Sequence, residues 1–109
     1  MVKAQTSYID VYVYDAITFA PIVGADVDLY DGFYMFLSDG PTDINGFIQF
    51  TALDSGDYYV EVYATGYQWN VSSVTIVTDG DGELVEFYQE PIFGRLSEWQ
   101  NSYYRYNQT

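Results

Sequence analysis

The side chains of this 109-residue chain that could do chemistry are mostly carboxylates, since it contains no histidine and no cysteine. Asp26 and Asp28 form one acid pair, and glycoside hydrolysis uses two such acids. They alternate along a predicted surface strand, so we expect neither a catalytic pocket nor an enzyme. A second set, Asp79–Glu83, spaces its oxygens as a calcium loop does but lacks the ~12-residue EF-hand pattern. We favour an acidic hairpin turn there over a calcium loop, and we expect no metal and no cofactor.

The missing residue types exclude several classes of function. Without cysteine there is no disulfide, thiolate nucleophile or Zn–Cys site, and without histidine there is no Ser-His-Asp triad and no imidazole metal site. Three basic residues against 16 acidic ones give a net charge of −13, which argues against nucleic acid and anionic membranes as partners. Since no apolar run approaches ~20 residues, we also expect no insertion into a membrane.

The elements that must position these residues are predicted to be strands, because apolar and polar residues alternate almost throughout. In the clearest strand, Asp57–Ala64, even-numbered residues face inward, and odd-numbered residues, Glu61 among them, face outward. Pro41 is expected in a connection between strands. Seven short strands separated by turn signals predict a single β-sandwich domain. The predicted strands are Ser7–Tyr14, Asp26–Tyr30, Phe33–Leu37, Phe47–Leu53, Asp57–Ala64, Gln68–Thr78 and Glu83–Gln89.

The segment Thr42–Tyr67 carries a recurring pattern, T-D-x-x-G-x-x-x-F-x-x-L-x-x-G-x-Y-x-V-x-V-x-A-x-G-Y. Upstream, Ala20–Val27 is similar to the start G-x-P-I-x-G-A-x-V, with Phe19 at the position that usually holds glycine. On these residues the chain resembles carboxypeptidase regulatory-like and Cna-B-like domains over roughly residues 7–89. The resemblance implies an all-β fold, a seven-stranded Greek-key sandwich of the transthyretin-like (prealbumin-like) type.

The resemblance also implies activities that can be compared with the residues present. Hydroxyisourate hydrolases and intradiol dioxygenases of related fold use histidines, which this chain lacks. Some Cna-B-like domains form a Lys–Asn isopeptide bond. Here Lys3, the one lysine, precedes the first predicted strand, and the last predicted strand contains no asparagine. We therefore expect no isopeptide crosslink. Because the known activities of related folds are excluded, we expect a scaffolding or binding function.

The charge is divided unevenly between residues 1–90, predicted to be the sandwich domain, and residues 91–109, predicted to be a C-terminal aromatic extension. The first part carries 15 of the 16 acids and one base, net −14, whereas the extension carries two arginines and one glutamate, net +1. We predict that the extension docks, either on its own domain as an eighth strand or on a neighbouring copy. The candidate docking residues are Phe93, Arg95, Trp99, Tyr103, Tyr104, Arg105 and Tyr106.

Outward-facing tyrosines form a second candidate site. Grouped exposed aromatics suggest an interface or a sugar-stacking surface, although tyrosine also suits half-buried strands. Trp69 and Trp99 are further candidates for stacking on sugar rings. Asn70 and Asn107 begin N-glycosylation sequons and are candidate modification sites. The predicted surface tyrosines are Tyr8, Tyr12 and Tyr14 of the first strand and Tyr59 and Tyr63 of the fifth.

Together these features predict a non-enzymatic structural module that lies outside the cell or on its surface. The leading hypothesis is a self-assembling subunit of a surface fibre or pilus-like filament, joined through its tail to other copies of itself. A cationic aromatic tail complements an anionic body, and head-to-tail contacts that do not close generate filaments. The alternatives are a carbohydrate-binding module, with glycans as partners, and an accessory module of a larger secreted protein.

Overall fold

The computed structural model describes residues 5–92, which form seven strands in two sheets. One sheet has the strand order β4-β1-β7 and the other β3-β2-β5-β6, and only the β1–β7 pair among them is parallel. The seven-stranded all-β sandwich is thereby confirmed. The strands are β1 (Ser7–Asp15), β2 (Asp26–Asp31), β3 (Phe36–Pro41), β4 (Phe47–Leu53), β5 (Gly56–Tyr63), β6 (Asn70–Ile76) and β7 (Gly82–Gln89).

The core lies between the two sheets and is built from alternate residues of each strand. Ile9 and Val11 of β1 are fully buried, as are Leu29 of β2 and Val60 and Val62 of β5. Burying one such side chain stabilises the fold by roughly 1.5–3 kcal/mol. A slip of one residue would turn every core side chain towards solvent, so the alternation fixes the register of the strands.

The third strand begins later than the sequence analysis expects. The prediction of Phe33–Leu37 is wrong, since β3 spans Phe36–Pro41. The carboxylate Oδ1 of Asp31 accepts hydrogen bonds from the backbone N–H groups of Phe33 at 2.9 Å and Met35 at 3.0 Å. The residue between those two has a φ of 64°, which extended backbone does not allow. The apolar run therefore starts in a capped turn rather than in a strand.

Two single residues also lie elsewhere than expected. Pro41 is the last residue of β3 rather than part of a connection. Because β3 is an edge strand, the missing N–H of proline leaves no ladder bond broken. Glu61 lies on the outward side of β5 as expected, but only 6% of it is exposed. Tyrosine rings from other segments cover it.

The two ends of the sandwich differ, and we name them by what they carry. At the exit end, Pro91 bridges to Tyr67, and the N–H of Ile92 donates to the carbonyl oxygen of Gly66 at 2.9 Å. At the far end lie the turn that follows β2 and the turn between β4 and β5. β7 runs from the far end to the exit end, parallel to β1. Within residues 5–92, no helix has the length and apolar character needed to cross a membrane.

Candidate functional site

The outer face of the β4-β1-β7 sheet carries a row of aromatic rings. The rings of Tyr12 and Tyr14 stack with their centroids 6.1 Å apart, because alternate residues of a strand share one face. The strand register brings Tyr88 beside Tyr14 at 5.4 Å and Phe47 beside Tyr12 at 4.9 Å. Such cross-strand pairs contribute roughly 0.2–1 kcal/mol each. The first aromatic face consists of Tyr12, Tyr14, Phe19, Phe47 and Tyr88.

Phe19 joins the first aromatic face from a strained backbone position. Its φ is 64°, a left-handed conformation that costs a residue with a side chain roughly 1–2 kcal/mol. The turn is held by Asp15, whose Oδ1 accepts from Ile17 N at 2.7 Å and Thr18 N at 2.9 Å. The Phe19 ring meets Tyr88 edge-on at 6.0 Å and is 65% exposed. A ring is thus presented at the position where the Cna-B-like pattern usually has glycine.

The outer face of the other sheet carries a second aromatic cluster, built over a buried carboxylate. Glu61 accepts hydrogen bonds from the hydroxyls of Tyr34 at 2.5 Å and Tyr63 at 3.0 Å. The Tyr34 ring lies 4.7 Å from Tyr59 and 4.9 Å from Tyr30. The hydrogen bond to Glu61 and desolvation raise the pKa of Tyr34 to about 12. The second aromatic face consists of Tyr30, Tyr34, Phe36, Tyr59, Tyr63 and Trp69.

The sandwich places the predicted surface tyrosines on two opposite faces. Tyr12 and Tyr14 belong to the first aromatic face, and Tyr59 and Tyr63 to the second. Tyr8 is 38% exposed, and its ring passes over Gly82, where a Cβ would collide with it. Of the other members, the sequence singles out only Trp69, as a candidate for stacking on sugar rings. It gives no sign of the rest, such as the ring of β7 and that of the turn after β2. Only the pairing of strands brings those rings into contact.

Three acids cluster on the β2–β3 pair. Carboxylate oxygens of Asp26, Asp28 and Asp39 lie within 4.8 Å of one another, since Asp28 and Asp39 are cross-strand partners. Partial burial and the carboxylates of Asp26 and Asp39 raise the pKa of Asp28 to about 6. The three groups lie at the surface or half-buried. Exposed acids of this kind are common without an ion, so we assign neither a metal site nor a catalytic pair to them.

We expect Asp28→Asn to stabilise the protein at pH 7 and to change little at pH 4. The folded-state pKa of Asp28, about 6, lies above the ordinary aspartate pKa of 3.8, so the folded state binds more protons between these values. Stability therefore falls as pH rises through that window, and asparagine removes the loss. Because Asp28 is only half-buried and solvent screens its charge, the gain is under ~1 kcal/mol. Thermal unfolding at both pH values checks this, with Asp81→Asn as the control; equal shifts at both pH values contradict it.

Two other sequence candidates take part in local structure. In the acidic set Asp79–Glu83, the Asp79 carboxylate Oδ1 accepts from the backbone N–H of Ser55 at 2.9 Å. Asn70 donates from Nδ2, the atom that would carry a glycan, to Oε1 of the buried Gln89 at 3.2 Å. Asn107 and the seven candidate docking residues, Trp99 among them, lie outside the described residues.

No protein-family model matches the sequence, and no curated protein matches it. Among solved structures, the backbone protein of the group B Streptococcus pilus 2b is 21% identical, with a TM-score of 0.71, over 83% of this chain and 43% of its own. BcpA*(D312A), the major pilin subunit of Bacillus cereus, is 20% identical over 78% of this chain and 30% of its own, with a TM-score of 0.70. The chain thus spans under half the length of these two pilins.

An enzyme shares the same architecture. The 5-hydroxyisourate hydrolase of Klebsiella pneumoniae is 21% identical over 77% of this chain and 90% of its own, with a TM-score of 0.63. At such identities the likenesses establish the fold alone. This chain has the fold that these proteins share, a β-sandwich of the transthyretin-like type.

Proposed function

We propose that this chain is a structural subunit at the cell surface, which assembles with copies of itself into a pilus-like filament. The observation that carries the proposal is the pair of aromatic faces, one on each outer surface of the sandwich. A contiguous patch of exposed aromatic side chains on the surface of a domain is typical of an interaction site. The structural likeness to pilin subunits supports the same function.

The connector in this proposal is the segment that follows the described chain. Pro91 and Ile92 are held against Gly66 and Tyr67, so the arm that docks begins after them. We call residues 93–109 the arm. It contains two of the three cations of the chain and all seven candidate docking residues, whereas the body is strongly acidic. Opposite charges on arm and body favour contact between copies.

A non-enzymatic role is part of the proposal. The hydrolase neighbour has the same fold, but the family resemblance attributes its chemistry to histidines, and this chain has none. Asp26 and Asp28, the acid pair considered for hydrolysis, sit on the outer side of a sheet rather than in a deep cleft. We infer that the fold is used here as a scaffold.

Carbohydrate binding is the second candidate, and one observation favours it. Trp69 is 52% exposed, and its ring lies 6.4 Å from that of Tyr63, which makes a short aromatic platform. Aromatic rings of this kind present an apolar face with a polar edge. Binding of the full chain to a glycan array, lost on Trp69→Ala, supports this function. If the unaltered chain binds no glycan on the array, carbohydrate binding is excluded as its function.

Truncation after Ile92 tests the proposed filament function. We expect the shortened chain to sediment as a single domain, and the full chain to sediment as large assemblies, because the arm supplies the contact between copies. The truncated chain keeps Ile92 and Pro91 with their bonds to Gly66 and Tyr67, so its melting temperature should change little. Circular dichroism checks that control. A full chain that sediments as a monomer at high concentration contradicts the proposal.

A further inference from the structure

The two sheets close along one side of the sandwich and stand apart along the other. β6 and β7 contact each other more extensively than β3 and β4, which meet at only a few positions. Between β3 and β4 lies a groove of about 860 Å³. Its floor includes the core residues Leu29, Phe50 and Tyr58, and Leu37 on its rim is 46% exposed. The core residues Phe50 and Tyr58 therefore come close to the surface on this side, although each is at most 7% exposed.

Both walls of the groove are strand edges. Within residues 5–92, β3 pairs with β2 and β4 pairs with β1, and each has its other edge unpaired. An unpaired edge presents backbone N–H and C=O groups that can template a further strand. β4 is also irregular: its register with β1 shifts near Leu53, where Ala52 has a φ of 58°. Bulges of this kind bend the strand that carries them.

The rim of the groove is apolar at the far end of the sandwich. The turn after β2 exposes Phe33 by 88% and Met35 by 63%, and Phe33 also lines the groove. Largely exposed aromatic and thioether side chains beside a groove resemble the anchor positions of interfaces, where aromatic residues and methionine are enriched. The groove therefore offers apolar contacts together with its two strand edges.

Acidic groups give the groove a charge opposite to that of the arm. Asp31, Asp54 and Asp57 line it, whereas the arm carries Arg95 and Arg105. The Oδ1 atom of Asp54 is buried and has no hydrogen-bond partner among the described residues. A buried acceptor left unpaired destabilises the fold, so binding of a donor that reaches it is favoured. Arginine is the residue best suited to such a carboxylate.

The groove and the start of the arm lie towards opposite ends of the sandwich. The groove extends to the far end, where Asp31, Asp54 and Asp57 are located, whereas the chain leaves at Ile92, at the exit end. The 17 residues of the arm can reach up to ~55 Å when extended, and a nine-residue strand such as β1 spans ~30 Å. A contact between the exit end of one copy and the far end of the next is head-to-tail, and such contacts build filaments when the rotation between copies does not close a ring.

We propose that the groove between β3 and β4 receives the arm of a second copy as an added strand. Main-chain hydrogen bonds to the edges of β3 and β4 hold the arm, its aromatic rings contact the floor and rim, and its arginines face the three carboxylates. The proposal rests on the filament function above and identifies the receptor site for it.

Disulfide trapping tests this site directly, because the chain contains no cysteine of its own. Ser38→Cys places a thiol in the groove on β3, and Ser102→Cys places one in the arm. Chains carrying one substitution are mixed with chains carrying the other, and the mixture is oxidised. We expect a disulfide-linked dimer, at least ~5-fold more abundant than in the control mixture. That control replaces Ser38→Cys by Ser73→Cys, an exposed serine on β6, the other edge strand of the same sheet.

A chain with both Ser38→Cys and Ser102→Cys distinguishes a second copy from the chain's own arm. A ladder of disulfide-linked multimers supports the proposal, whereas closure within single chains overturns it. Equal or greater crosslinking through Ser73→Cys also overturns the assignment of the groove as the receptor site. The proposed filament function still stands in that case if the unaltered chain sediments as large assemblies. If every mixture and the unaltered chain remain monomeric and no crosslinks form, both the receptor site and the filament function are overturned.

Discussion

Gly46→Ala is expected to destabilise the sandwich by about 3–5 kcal/mol, whereas Gly24→Ala costs only about 1–2 kcal/mol. Both glycines have left-handed backbone, with φ values of 74° and 77°. A Cβ on Gly46 would lie 2.5 Å from the carbonyl oxygen of Val13, which is backbone and cannot swing away. A Cβ on Gly24 meets nothing within 4 Å among the described residues. The difference between the variants therefore isolates the steric clash from the backbone strain.

The surroundings of Gly46 explain why the clash is not relieved. The Asp43 carboxylate accepts from the N–H groups of Asn45 at 2.9 Å and Phe47 at 3.0 Å, which fixes the turn. The carbonyl oxygen of Gly46 accepts from Val13 N at 2.8 Å. Urea unfolding of both variants measures the two losses, and the larger one is a big share of a typical stability of about 5–15 kcal/mol. Equal losses for the two variants contradict this packing.

Reversing both charges of the arm, by Arg95→Glu and Arg105→Glu, is expected to raise the concentration needed for assembly at least ~10-fold. A tenfold change corresponds to about 1.4 kcal/mol. In the proposed contact both arginines face the carboxylates of Asp31, Asp54 and Asp57, and placing like charges together there costs several kcal/mol. Sedimentation across a concentration series gives the assembly threshold of each variant.

Lys3→Glu is the matched control for this charge reversal. It makes the chain more acidic by the same kind of substitution, but outside the arm. We expect it to change the threshold much less. High salt should weaken assembly of the unaltered chain, because screening reduces attraction between exposed charges. Because Lys3→Glu lowers the net charge by two units, it is compared with Arg95→Glu alone, which lowers it by the same amount. Identical thresholds for these two single variants would mean that net charge, rather than the arm, governs assembly.

The core could be predicted from the sequence because each strand alternates with a period of two. The alternation predicts Phe47–Leu53 with the bounds that β4 has, and it correctly predicts the inward side of β5 at Tyr58, Val60 and Val62. The start of β3 was missed, since a run of apolar residues gives no sign that Asp31 caps the turn before it. Local hydrogen bonding overrode strand propensity at that point.

Only part of each aromatic face can be predicted from the sequence. Alternation places Tyr12 and Tyr14 on one side of β1, but the contacts of those rings with Phe47 and Tyr88 depend on strand register. The sequence predicts that Glu61 faces solvent, because nothing local shows that Tyr34, 27 residues earlier, covers it. The groove has no sequence pattern, since it arises where two sheets cease to touch.

Negative-stain electron microscopy of the full chain at high concentration tests the central claim most directly. The account expects unbranched filaments whose axial repeat is roughly 30–40 Å, because one nine-residue strand spans ~30 Å along each copy. These filaments should disappear when the chain ends at Ile92. Isolated single-domain particles at every concentration, with the arm intact, would contradict the claim that the chain is the subunit of a filament.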